Sequence, residues 1–89
     1  MVWAIRFDKG AAKELGKLDR QVAVRIIRFL RERVAAADEP RAFGEALKGS
    51  TLGEFWKYRV GDYRLICDIV DAEITVVVVR IGNRREVYR

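Results

Sequence analysis

Phe55-Trp56-Lys57-Tyr58-Arg59-Val60-Gly61-Asp62-Tyr63-Arg64-Leu65 is the stretch that decides the fold. Two runs of aromatic, β-branched and long side chains flank Gly61-Asp62, a pair suited to a tight hairpin turn. Successive strand side chains point to opposite faces. A two-residue turn therefore sets Val60 against Tyr63, Arg59 against Arg64, and Tyr58 against Leu65. One face carries Trp56, Tyr58, Val60, Tyr63, Leu65 and Cys67, fit to pack under a second layer. The other carries Lys57, Arg59 and Arg64. Like charges directly opposed in a sheet cost a few tenths to about 1 kcal/mol, so folding alone gives little reason to choose them. Two readings stand: an anion site, or a solvated face neutralised by Glu54 and Asp68.

Outward from the hairpin, Asp71-Ala72 reads as a second tight turn. The segments at about 54–60, 63–70 and 73–81 then form an antiparallel meander. Val76 to Val79 is apolar on both parities, as in a strand covered on both faces. Upstream, residues 2–7 alternate as a first strand. Asp8 suits the N-cap of a helix reaching about Lys17, and Asp19 the cap of a second helix to about Ala37. In the second helix Ala23, Ile26, Ile27, Leu30, Val34 and Ala37 form one apolar stripe. Pro40 ends it. Residues 41–53 read as an irregular connection, with Ala46-Leu47-Lys48-Gly49 a short turn. The order is β-α-α-β-β-β, an α+β fold with a helical hairpin on a small, mainly antiparallel sheet.

The 89 residues suffice for one domain, 1–89. The net charge of +5 makes an anionic partner plausible, and solubility alone is the other explanation. Residues 1–52 carry eleven Lys and Arg against seven Asp and Glu, and residues 53–89 seven against six. The excess thus falls on the helical layer, at Lys13, Lys17, Arg25, Arg28 and Arg31, where it suits ribosomal RNA contacts or plain solvation. There is no histidine, which excludes a histidine metal site, and the lone Cys67 excludes a zinc cluster and reads as core. Acid–base chemistry must run on Lys, Tyr, Cys, Asp, Glu or Arg, and no metal or cofactor is expected. A single cysteine, no signal peptide at the start and no apolar run of membrane length lead us to expect a cytoplasmic protein without a membrane partner.

The C-terminal stretch is Ile81-Gly82-Asn83-Arg84-Arg85-Glu86-Val87-Tyr88-Arg89. In a meander its start lies beside Tyr63 and Arg64, which places Arg84 and Tyr88 within reach of the cationic face. Three pieces in order, Leu47-Lys48-Gly49, Val60 to Leu65, and Ile81 to Tyr88, resemble the RelE toxin family of bacterial toxin–antitoxin systems, within the RelE/ParE superfamily. The resemblance runs from the first strand to Tyr88. It implies a RelE-like microbial RNase fold and a metal-independent endoribonuclease that cuts mRNA in the ribosomal A site. It also implies a cognate antitoxin as inhibitor, with operator DNA engaged only through the antitoxin complex.

Carried over by position, the catalytic set is Lys57, Arg59, Arg64, Arg84 and Tyr88, with Lys48, Arg85 and Arg89 binding RNA. The pattern departs at Arg59, where a lysine is usual, and at Asn83, where close relatives often have histidine. Without a metal, such cleavage proceeds by attack of a ribose 2′-hydroxyl on the adjacent phosphate, leaving a 2′,3′-cyclic phosphate and a 5′-hydroxyl. Arg64 and Arg84 suit the pentavalent phosphorane, because guanidinium forks match phosphate oxygens. Lys57, crowded by Arg59 and Arg64, is the candidate acid or base, while Tyr88 is placed to stack on a base, orient the 2′-hydroxyl or protonate the leaving group. Arg64 and Arg84 are expected to support no part of the core. Two alternatives share the fold: a ParE-like gyrase-poisoning toxin, and an inactive toxin-like binding protein.

Overall fold

The computed structural model describes residues 2–47 and 55–83. Its elements are β1 (Ala4–Phe7), α1 (Lys9–Gly16), α2 (Arg20–Phe29), β2 (Glu45–Ala46), β3 (Phe55–Val60), β4 (Tyr63–Val70) and β5 (Thr75–Asn83). Helices on a five-stranded mixed sheet, ordered β1-β5-β4-β3-β2, make an α+β architecture of the kind the sequence predicts. β1 runs parallel to β5, and every other pairing is antiparallel. The Gly61-Asp62 turn holds the predicted register, with Val60 facing Tyr63, Arg59 facing Arg64 and Tyr58 facing Leu65. Gly61 has φ +61°, a left-handed conformation that glycine adopts without a Cβ penalty.

The core lies between sheet and helices. Ile26, Leu30 and Val34 press on Tyr58, Leu65, Cys67, Val76 and Val78, all essentially inaccessible to water. Tyr58 closes this layer: its hydroxyl donates to the Pro40 carbonyl at 2.8 Å, and its ring meets Phe29 edge-on at 6.0 Å. Burial pushes both the Tyr58 hydroxyl and the Cys67 thiol well above their ordinary ionisation ranges. Cys67 and Trp3 are core residues, as the alternation implies, and Trp56 packs against the core's edge.

Four local features differ from the sequence reading. The second helix does not run regularly to Ala37; after Phe29 it widens into a π turn at Leu30–Val34, where the Ala35 N–H donates to the Leu30 carbonyl at 2.7 Å. The extra residue lets both Val34 and Ala35 face inward and presents the Ala35 carbonyl to the Trp3 N–H at 2.8 Å. Asp8 caps α1 through the Ala11 N–H, but the Asp19 side chain makes no such bond. The stretch read as irregular contains a 3₁₀ turn at Pro40–Phe43 and the edge strand β2. The link between β4 and β5 is a 3₁₀ turn at Asp71–Glu73 followed by Ile74 at φ 49°, so β5 starts two residues later than expected and extends to Asn83.

β5 carries one further device. Its pairing with β4 slips between Ile66 and Cys67, leaving Val79 as the extra residue of a bulge. Beyond Phe7, β1 no longer covers β5, and there the Ile81 N–H is taken by Glu14 of α1 at 2.8 Å. Among the described residues no helix is long and apolar enough to cross a membrane.

Candidate RNA-binding site

The cationic face is built by register. Arg59 on β3 stands opposite Arg64 on β4, and Arg64 stands opposite Gly82 on β5. Gly82 has no side chain, so β5 places none directly across from Arg64. Asp68 lies on the same face of β4 but pairs with Phe55 and Val77. Four residues along the strand, it is about 13 Å from Arg64. It does not neutralise the arginine pair, and Glu54 lies outside the described residues.

Arg64 corrects the expectation of a residue with no structural part. It is only 5 % exposed. Its Nη1 donates to the Gly61 carbonyl at 3.1 Å and to the Tyr63 carbonyl at 3.0 Å. The guanidinium thus clamps the hairpin turn while carrying a charge that meets no carboxylate among the described residues. Carbonyl dipoles partly replace water, and they leave the positive charge unneutralised.

Lys57 sits one row further along, opposite Ile66 on one side and Glu45 on the other. Its Nζ is 3.6 Å from the Glu45 carboxylate, and its side chain is 17 % exposed. Among the described residues Lys57 is thus ion-paired with an acid that the sequence reading did not place there. Reading residues 41–53 as irregular hid Glu45, because a two-residue strand shows no alternation to detect. Arg84, Arg85, Tyr88, Arg89 and Lys48 lie outside the described residues.

The same end of the sheet has a neighbour that the spacing along the chain conceals. Arg25, Arg28, Glu32 and Arg33 of the helical layer line a cleft of about 300 Å³ together with Arg59 and Gly61. At the opposite end, Arg41 bridges Asp71 at 2.6 Å and Glu39 at 3.2 Å, with its guanidinium over the Trp56 ring at 5.8 Å. The Arg41 hydrogen bond holds the Asp71 carboxyl below its ordinary range.

Comparison with known proteins identifies the family and the fold. The sequence model of the family described as "ParE toxin of type II toxin-antitoxin system, parDE" matches residues 5–88. The chain belongs to the RelE/ParE superfamily of type II toxins. Toxin RelG of Mycobacterium tuberculosis is 32% identical over 89 residues, covering 100% of this chain and 99% of that protein. The mRNA interferase toxin RelE of Escherichia coli is 31% identical over 90 residues, covering 99% and 92%. Among solved structures, the RelBE2 toxin–antitoxin complex of M. tuberculosis gives a TM-score of 0.84 at 28% identity, covering 97% of this toxin and 95% of that chain. A variant of E. coli toxin RelE in the free state gives 0.76 at 30% identity, covering 99% and 92%.

Proposed function

We propose that this toxin, acting as one RelE-like domain in the cytoplasm, is a metal-independent endoribonuclease that cleaves mRNA in the ribosomal A site. The observation that carries the reading is the Arg59–Arg64 pair: two arginines directly opposed in the sheet register, one of them buried, with no carboxylate paired to either among the described residues. A phosphodiester relieves the repulsion and supplies the missing counter-charge. Support also comes from E. coli RelE, a relative named as an mRNA interferase.

In this reading Arg64 and Arg84 hold the non-bridging oxygens as the phosphorane forms, and Arg59 grips the strand beside them. Lys57 transfers the proton at the 2′-hydroxyl or the leaving oxygen, with Glu45 steadying its ammonium group, and Tyr88 orients the nucleotide. Lys48, Arg85 and Arg89 hold neighbouring phosphates. The ribosome supplies the in-line geometry that such weak proton-transfer groups need. A cognate antitoxin, the partner present in solved complexes of similar fold, neutralises the toxin, and operator DNA is met only through that complex.

The ParE family match favours a second reading, a toxin that poisons gyrase. One experiment separates the two. The chain is expressed under tight control and the 5′ ends of cellular mRNA are mapped. Cuts in register with codons are the expected result. Growth arrest with DNA-damage signalling and no cuts selects the gyrase reading, and absence of toxicity rejects both.

A further inference from the structure

The cleft formed by Arg25, Arg28, Arg33 and Arg59 is separate from the row that holds Arg64 and Lys57, yet it shares Arg59 with it. Among the described residues its one acid is Glu32, which already faces Arg28 at 3.8 Å. Among the described residues, Arg25, Arg33 and Arg59 meet no carboxylate. Arg25 is seated by the turn glycine: its Nη1 lies 3.0 Å from where a Cβ on Gly61 would stand. Gly61 is thus flanked by two guanidiniums, Arg25 against its open side and Arg64 on its carbonyl. Three unneutralised charges converging on one cleft repel one another, and a polyanion is the ligand that removes that cost.

We infer that this cleft is a second phosphate-binding site, which takes the backbone of an RNA strand as it runs off the Arg59–Arg64 face around the Gly61 turn. The inference rests on the proposed RNA-directed activity and extends its footprint onto the helical layer. Arg59 belongs to both surfaces, so repeated charges of one strand are satisfied without a break. A protein segment would need apolar anchorage. In the cleft such anchorage is limited to Phe29 and Val60, and more of it lies in two neighbouring grooves, one lined by Val24 and Ile27 and the other by Ile5, Phe7, Ile27 and Leu30. The strand is either the message beside its cut or ribosomal RNA; both present the same phosphodiester.

The test compares the wild type with the Arg25→Ala/Arg33→Ala double variant. A Lys9→Ala/Arg20→Ala control removes the same charge from exposed positions outside the cleft. The probe is a 2′-O-methyl RNA of about 12 nucleotides, a typical single-strand footprint, whose 2′ position is blocked against cleavage. The double variant should bind it at least about tenfold more weakly, and the slope of log affinity against log salt should fall by about 1.4, two contacts at roughly 0.7 each. Loss toward the oligonucleotide assigns the cleft to the message. Loss only toward purified ribosomes assigns it to ribosomal RNA. Unchanged binding to both overturns the inference, as does an equal loss in the control, or poly-glutamate binding that depends on these arginines while RNA binding does not. Wild-type protein that binds through the cleft but cuts nothing sinks the nuclease reading and leaves the cleft standing. Normal cutting with unaltered binding in the double variant sinks the cleft alone.

Discussion

At the Asp71 end of the β3–β4 hairpin, Arg41 is held by two carboxylates and an indole face. At the Gly61 end, Arg25, Arg33, Arg59 and Arg64 meet no carboxylate among the described residues. The residue type is the same, but the surroundings are opposite. An arginine with its counter-ion inside the chain is a fastener, whereas a group of them without one holds charge in reserve for a ligand. Only a few strand residues separate the two ends, so the sheet itself is what keeps the acids of one end from quenching the other.

The largest effect should come from Arg64. Arg64→Lys keeps the charge and can still reach a carbonyl, but it loses the planar fork. Cleavage measured by 5′-end mapping should fall by about 100-fold or more, with the melting temperature within about 5 °C of wild type. Lower stability with undiminished cleavage would make Arg64 a turn clamp only, and the contrast between the two ends would collapse.

Tyr58→Phe probes the fastened end through its hydrogen bond to Pro40. It should cost about 1–2 kcal/mol in denaturant unfolding, because the buried carbonyl loses its donor, and cleavage should be unaffected. The pH dependence has a definite sign. The Tyr58 hydroxyl is raised in the fold, so its contribution is complete at neutral pH. It is lost as pH rises above about 10, where the unfolded tyrosine ionises first. The phenylalanine variant lacks that loss, and its deficit should narrow in alkali.

The smallest effect is expected at Arg41. Arg41→Ala should lower the melting temperature by roughly 2–4 °C, since its partners are exposed and screened. Asp71 is held below its ordinary range by Arg41, so the pair stabilises the fold above about pH 4 and the benefit disappears as pH falls below it. Wild type and variant should therefore converge in acid. A strong loss of cleavage in this variant would show that the two ends are not separate in function.

The hairpin register was legible because strand side chains alternate with a period of two, and a glycine-led pair leaves one short way to turn. The same alternation sorted Tyr58 and Cys67 inward and Arg59 and Arg64 outward. Helix existence followed from the apolar stripe, but the π turn did not, because it answers to where Trp3 and Ala35 must meet. β2 was too short to leave a pattern, and with it went Glu45, the partner that Lys57 acquires.

By itself the sequence determined the α+β layering, the order of its main elements and the pairing of Arg59 with Arg64, since periodicity and turn chemistry act between near neighbours. Tertiary structure alone decided that Arg64 is buried against carbonyls, that Lys57 faces an acid, and that arginines from the helical layer gather around Gly61. Those facts depend on distances between residues far apart in the chain. The packing of one layer on another sets such distances, and no local rule of residue preference contains them.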